Sequence, residues 1–423
     1  MSEITQPTTR RSRRRVAVAT ALAAAVAVPG VAHADHGRDD EPRLTGRAVL
    51  PVATYAAGPV SGQFVIPGPG VRNGITFPLE SQPVEGFSGI VEGRTDGEIL
   101  AMADNGFGTK ANSPDFHIRA YHLQPDFETA DGGSGAVAVA DYIEFSDPDD
   151  HIPFPIRYEG TADRILTGAD IDPESIQRDR RGDLWVGDEF GPWLLHFDAA
   201  GRLLEEPIKM PDGLVALTNP LADPDGVATT PPLQPITVSN SRGIEAMALT
   251  PNGRSLYVVL EGAVIGAPDA TSRRIYEFDL HRREWTRVAA DYGTDVAGHF
   301  VADAQALDSH RLLVVERDGA AAAVRKVYEV DLRDARDGGL LPKTMVVDLA
   351  AIPDPDLISL PAIHPGDVGI GPSFRVMCES IEALRIVSKR ELLLGCDNNF
   401  PNVGRNPGLA DDNELITVAV PRL

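Results

Sequence analysis

The chain reads as an all-β protein, a β-propeller of about six blades behind a cleavable export signal. Three observations predict this. Helical periodicity is nearly absent beyond residue 45. Short β-rich runs recur behind Gly- or Asp-containing turns. Carboxylates recur in pairs at a near-constant offset, one before such a run and one at its end. A radially repeated sheet unit explains all three together, whereas a sandwich explains only the first two.

The elements follow in chain order. Arg10, Arg11, Arg13, Arg14 and Arg15 form a basic head, and an apolar run extends from Val16 to Val28. Ala32-His33-Ala34 then places small residues at the −3 and −1 positions of a signal-peptidase site. The run is too short to span a bilayer as a permanent helix and fits an export signal over 1–34. Ser12-Arg13-Arg14-Arg15-Val16-Ala17 fits a twin-arginine signal. Residues 35–45 are charged and read as a flexible linker, and 46–423 as the propeller domain. An exported chain meets an oxidising compartment, so its two cysteines, Cys378 and Cys396, are able to pair; the spacing leaves that open.

Five runs carry the strand signal: Glu98–Ala103, Asp183–Gly187, Ser255–Leu260, Arg311–Val315 and Glu391–Gly395. Three segments of alternating polarity follow such runs: Trp193–Asp198, Arg274–Leu280 and Lys326–Leu332. They suggest one module repeated, a strand, a turn, a strand, an acidic corner, then a strand whose apolar residues alternate before an Asp. Segments 46–80 and 120–160 read as remnants of further units, which brings the expected count to about six.

The acidic corners are the candidate chemistry. Glu174 precedes Asp188-Glu189 by 14 to 15 residues, Glu245 precedes Glu261 by 16, and Glu382 precedes Asp397 by 15. Ser88-Gly89-Ile90 stands at a similar offset before Asp104-Asn105, and Ala304-Gln305-Ala306 about a dozen residues before Glu316. In a hairpin, the start of one strand and the end of its partner share a rim. Repetition around a ring would therefore aim these carboxylates at one central mouth. Like charges so close raise one another's pKa unless cations neutralise them. Asp, Glu and Asn oxygens without Cys or His are the donor set of Ca²⁺. The predicted ligands are Glu174, Asp188, Glu189, Glu245, Glu261, Glu316, Glu382, Asp397 and Asn398. Arg242, Arg317 and Arg405 are the candidates to grip an anionic substrate group, or else to pair within the ring.

Charge and motifs exclude other classes. With 39 Lys+Arg against 62 Asp+Glu the net charge is −23, which disfavours nucleic acid and anionic lipid as partners. The Gly-x-Ser-x-Gly elbow, His-Glu-x-x-His, the P-loop and Gly-x-Gly-x-x-Gly are all missing. Asp147-Pro148-Asp149-Asp150 and Asp223-Pro224-Asp225-Gly226 lack the final Glu of a calcium loop and read as plain loops.

Gly182–Gly191 (GDLWVGDEFG), Gly243–Gly253 (GIEAMALTPNG), Ser380–Leu384 (SIEAL) and Asp397–Phe400 (DNNF), in that order, resemble the "esterase-like activity of phytase" family. The resemblance extends over about 75–421. It implies an exported β-propeller hydrolase of phosphate or carboxylic esters that uses calcium. On that reading Ca²⁺ on Glu174, Glu189, Glu245, Glu382 and Asp397 would activate water, with Arg242 or Arg317 stabilising the developing charge. The expected product is a monomer acting on a small-molecule ester, secreted or periplasmic, with no membrane attachment after signal cleavage. Two rivals stay open: a calcium-bearing lactonase or sugar-ester hydrolase, and a non-enzymatic binding propeller of the envelope.

Overall fold

The computed structural model describes residues 41–222, 233–319, 323–336 and 339–423. The predicted signal segment, most of the linker and the Asp223–Gly226 loop lie outside these residues. Within them the chain forms strands, with helical geometry confined to two short 3-10 turns, Pro211–Gly213 and Leu332–Asp334. Among the described residues no helix is long and apolar enough to cross a membrane.

The strands group into five four-stranded antiparallel units. The first holds Phe87–Glu92, Ile99–Ala103, Arg119–Asp126 and Ala136–Glu144. The second holds Pro173–Arg178, Leu184–Asp188, Trp193–Phe197 and Ile208–Lys209. Ile244–Leu249, Ser255–Leu260, Ser272–Asp279 and Glu284–Gly293 form the third. Phe300–Ala306, Arg311–Arg317, Arg325–Asp331 and Lys343–Asp348 form the fourth. The fifth is made of Ser380–Ser388, Glu391–Asp397, Asn413–Ala419 and, from the other end of the chain, Arg43–Leu50.

The first strand of each unit packs against the first strand of the next, and that of the fifth against that of the first. The inner strands therefore close a ring, which defines a five-bladed propeller. The expectation of about six blades is corrected. The apparent remnant at 46–80 supplies most of the outermost strand of the last blade and one small hairpin, Gly70–Arg72 with Ile75–Phe77, and 120–160 supplies the outer half of the first blade. The five apolar runs are the second strands of the five blades. The linker is shortened as well. Arg43-Leu44-Thr45 belong to the strand paired with Asn413–Ala419, because Leu44 is buried in the core behind that pairing.

Position within a blade explains the composition of each strand. The second strands are covered on both faces by neighbouring blades and are apolar along their middles, as in the fully buried Ile99–Ala103. The outermost strand of the first blade, Ala136–Glu144, meets water over most of its length, whereas that of the fifth, Arg43–Leu50, is mostly buried. Blades approach closely where small residues allow it. A Cβ on Gly89 would lie 2.8 Å from Ile176 of the next blade's inner strand. Trp185, Phe278 and Trp285 fill the space between the second and third blades, with ring centroids 5.0 to 5.5 Å apart. Trp193 instead stacks on Phe154 of the connection that precedes its blade. Cys378 and Cys396 form a disulfide that ties the entry of the fifth blade to its second strand.

Candidate functional site: a carboxylate-lined mouth

Every inner strand carries a β-bulge next to its first residues, and that of the fifth blade has a second shift between Ile386 and Ser388. The register shifts between Phe87 and Gly89, Pro173 and Ser175, Ile244 and Ala246, Val301 and Asp303, and Ile381 and Ala383. The extra residues are Ser88, Glu174, Glu245, Ala302 and Glu382. A bulge frees its extra residue from the ladder and re-aims the side chain. The second strands return to the same rim. Just past the residues paired at each bulge (Ala103, Asp188, Leu260, Glu316 and Cys396) stand Asp104, Glu189, Glu261, Arg317 and Asp397. Two five-membered rings result, one of bulge residues and one of strand-end residues.

Glu174, Glu245 and Glu382 of the first ring and all five members of the second line one cleft of about 340 Å³, together with Asp172, Arg242, Phe300 and Glu379. The fourth blade breaks the pattern. It contributes Ala302 where three other blades carry Glu, and Arg317 where all four carry a carboxylate. Arg317 Nη2 donates to Glu382 Oε1 at 2.8 Å, Glu261 Oε1 at 2.9 Å and Glu245 Oε1 at 3.4 Å. Burial alone would lower the Arg317 pKa, but Glu382, Glu261 and Glu245 outweigh it and hold it above its ordinary value. Arg242 pairs with Glu261 Oε2 at 2.5 Å and lies over the Phe300 ring at 4.0 Å. It is one-third exposed, whereas the Arg317 side chain is 10% exposed.

The carboxylates outnumber these cations and repel one another. Burial, then neighbouring charges, push Glu174, Glu189 and Glu245 well above the usual carboxylate range. The same causes act on Asp397, and burial followed by Asp172 acts on Asp104. Burial pushes Asp172 up to about 6. Behind the rim Glu85 is wholly buried with neither carboxylate oxygen partnered. Three groups have oxygens within 4.8 Å of one another: Asp172, Glu174 and Glu189; Glu174, Glu245 and Glu382; and Glu189, Glu245 and Glu261. Asp172 Oδ1 is buried without a hydrogen-bond partner in the first of these groups. Convergent hard oxygens with one left unpaired fit a divalent cation.

Of the predicted ligands, the structure brings together Glu174, Glu189, Glu245, Glu261, Glu382 and Asp397. It does not bring Asp188, Glu316 and Asn398 to them, because successive residues at a strand end point to opposite sides. Asp188 accepts from the Asp172 and Gly191 amides. Glu316 is held by Tyr292, His299 and Lys343. Asn398 bridges the Gly86 amide and the Asp411 carbonyl. Arg405 is locked on Glu414 beside Arg47, away from the mouth. Arg317 is consumed by the ring carboxylates, which leaves Arg242 as the more accessible cation. The repeat in the fourth blade starts two residues earlier than its Ala304-Gln305-Ala306 motif suggests.

Sequence reasoning missed Asp172 and Phe300 as site residues, and placed Asp104 at an acidic corner without counting it among the ligands. The signal for Asp172 was its place two residues before Glu174, and for Asp104 its offset from Ser88.

The fold and site thus define a five-bladed propeller whose acidic mouth is built from bulges and strand ends. The phytase-like family model, described as esterase-like activity of phytase, matches residues 82–400, and this chain belongs to that family. An uncharacterized secreted protein of Arthroderma benhamiae is 31% identical over 126 residues, 26% of this chain and 24% of that protein's length. Among solved structures, a protein of unknown function from Dyadobacter fermentans is 12% identical, with 90% of this chain and 99% of that one covered and a TM-score of 0.40. A luciferin-regenerating enzyme is 10% identical over 81% and 80% of the two chains, with a TM-score of 0.37.

Proposed function

We propose that this protein is an exported, divalent-metal-dependent hydrolase of phosphate or carboxylic esters, with the mouth as its active site. The observation that carries this is the convergence of three overlapping carboxylate groups on one cleft, one of them with a buried unpartnered oxygen. Family membership and the secreted relative support both the reaction class and export.

Asp172, Glu174, Glu189, Glu245, Glu261 and Glu382 would hold the ion or ions, and Ca²⁺ matches their all-oxygen character. When bound, the cation supplies Lewis acidity toward an ester oxygen and lowers the pKa of water. The chain's own groups do the rest. Arg242, spread over Phe300 at the opening, meets the substrate's anionic or polarised oxygen. Arg317 keeps Glu245, Glu261 and Glu382 in place from within the ring. Among the described residues none lining the mouth is a histidine or a cysteine. A carboxylate of the ring is therefore the group placed to take the proton that attacking water gives up. The substrate class is a small ester able to enter a cleft of this size.

The test is turnover of a panel of phosphate and carboxylic esters by the purified mature protein, with and without exhaustive chelation. The reading requires activity that disappears on chelation, returns with Ca²⁺, and falls about 100-fold in Glu189→Gln. Turnover indifferent to chelation overturns it.

A further inference from the structure

A second group of possible ligands lies at the opposite end of the second blade. Asp179 and Asp183 flank the turn between its first two strands, and His196 sits on its third strand opposite Trp185. One ligand atom from each lies within 4.8 Å of the others. His196 is 4% exposed, and its Nε2 is buried with no hydrogen-bond partner, 3.6 Å from Asp183 Oδ2.

The other face of the imidazole decides what Nε2 can do. Nδ1 lies 3.0 Å from Glu205 Oε1 and 3.0 Å from Arg283 Nη2, and Arg283 also pairs with Glu205. A proton on Nδ1 is donated to Glu205 at good distance. A proton on Nε2 would have only Asp183 at 3.6 Å, too long for a hydrogen bond. With the Nδ1 proton donated to Glu205 and Arg283 donating to that same carboxylate, the Nε2 lone pair is left facing Asp183. A carboxylate behind Nδ1 that orients the ring is the usual outer support of a metal-ligating histidine. Trp185, stacked on the ring at 4.1 Å, fixes its plane.

We propose that Asp179, Asp183 and His196 form a second divalent-metal site, independent of the mouth, for a borderline ion such as Zn²⁺ or Co²⁺. A nitrogen donor among few oxygens suits such ions and disfavours Ca²⁺, which seeks six or more oxygens. Its role is structural, since it would clamp the 179–183 turn to the third strand.

The experiment titrates the chelator-stripped, redialysed protein with Co²⁺ in excess Ca²⁺ and follows the visible absorption of bound cobalt. One Ca²⁺-resistant equivalent is expected, displaced by Zn²⁺ and absent in His196→Gln. Asp183→Asn, at a part-exposed position that should not disturb folding, is expected to weaken it at least about 10-fold, and Glu205→Gln about 10- to 100-fold. Glu382→Gln in the mouth is expected to leave it unchanged. Absence of Ca²⁺-resistant cobalt binding, or wild-type binding by Asp183→Asn, overturns the proposal. Neither result touches the reading of the mouth, which does not use these residues.

Discussion

Carboxylates crowd both ends of this propeller, and the two ends treat them oppositely. At the mouth Glu189 and Glu245 are buried and Glu174 is half-buried; they face one another and are pushed well above their ordinary range by burial and mutual repulsion. At the base, where the hairpins turn, the same side chains accept hydrogen bonds. Burial would raise Glu98, but the Arg94 side chain and amide outweigh it and hold it down to about 2. Asp279 is lowered by hydrogen bonds from the Arg282 and His281 amides. The chemistry of the residue is the same, so supply of N–H donors decides. Turns expose amides that a carboxylate can cap, whereas the inward face of a bulged strand has none to spare. The base uses its charge for stability, and the mouth keeps its charge available for a cation.

Four experiments sharpen or break this contrast. The largest effect belongs to Arg317→Met, which leaves Glu245, Glu261 and Glu382 without their internal cation. Chelated protein should lose about 3–5 kcal/mol of stability in denaturant melts, and Ca²⁺ should restore part of it. Unchanged stability would mean that the mouth carboxylates are already neutral without the arginine.

Next comes the ion itself. A cation that binds only the folded mouth stabilises it by about 2.7 kcal/mol at 100 times its Kd, which calorimetry with and without chelator reads as a rise in Tm. Glu189→Gln should shrink that rise while leaving the chelated protein as stable as wild type or more so, because one repelling charge is gone.

The third test is pH. Burial pushes Asp188, beside the mouth, up to about 7. A folded pKa above the unfolded one means that the native state holds the proton longer. Its contribution is therefore full at low pH and is lost as pH rises from about 4 to about 7. Chelated protein should weaken across that window.

The base gives the smallest effect and the opposite sign. The folded pKa of Glu98 lies below its unfolded value, so its contribution is present above about pH 4.3 and fades as pH falls toward 2. Glu98→Gln should cost about 1 kcal/mol at pH 7 and much less near pH 2. A loss independent of pH would show that packing, and not charge, holds that turn.

Much of this was legible in the linear chain. The five apolar runs are the five second strands, because a strand covered on both faces cannot alternate. The 15- to 16-residue offsets from Glu174, Glu245 and Glu382 mark hairpins whose ends share a rim. Legibility failed where a single residue of phase matters. Asp188 and Glu189 are equivalent on paper, yet the bulge after Pro173 sets which of them faces the axis. The same phase sends Glu316 outward and Arg317 inward.

The sequence by itself determined the all-β class, the blade module and the acidic character of one rim, since these follow from local periodicity and turn chemistry. Only the tertiary structure decided that five blades close the ring, that Arg43–Leu50 completes the last one, and that Arg317 stands where a fifth carboxylate would be. Those depend on contacts between residues from dozens to hundreds of positions apart, and side-chain direction at a bulge is set by the partner strand, which no local pattern contains.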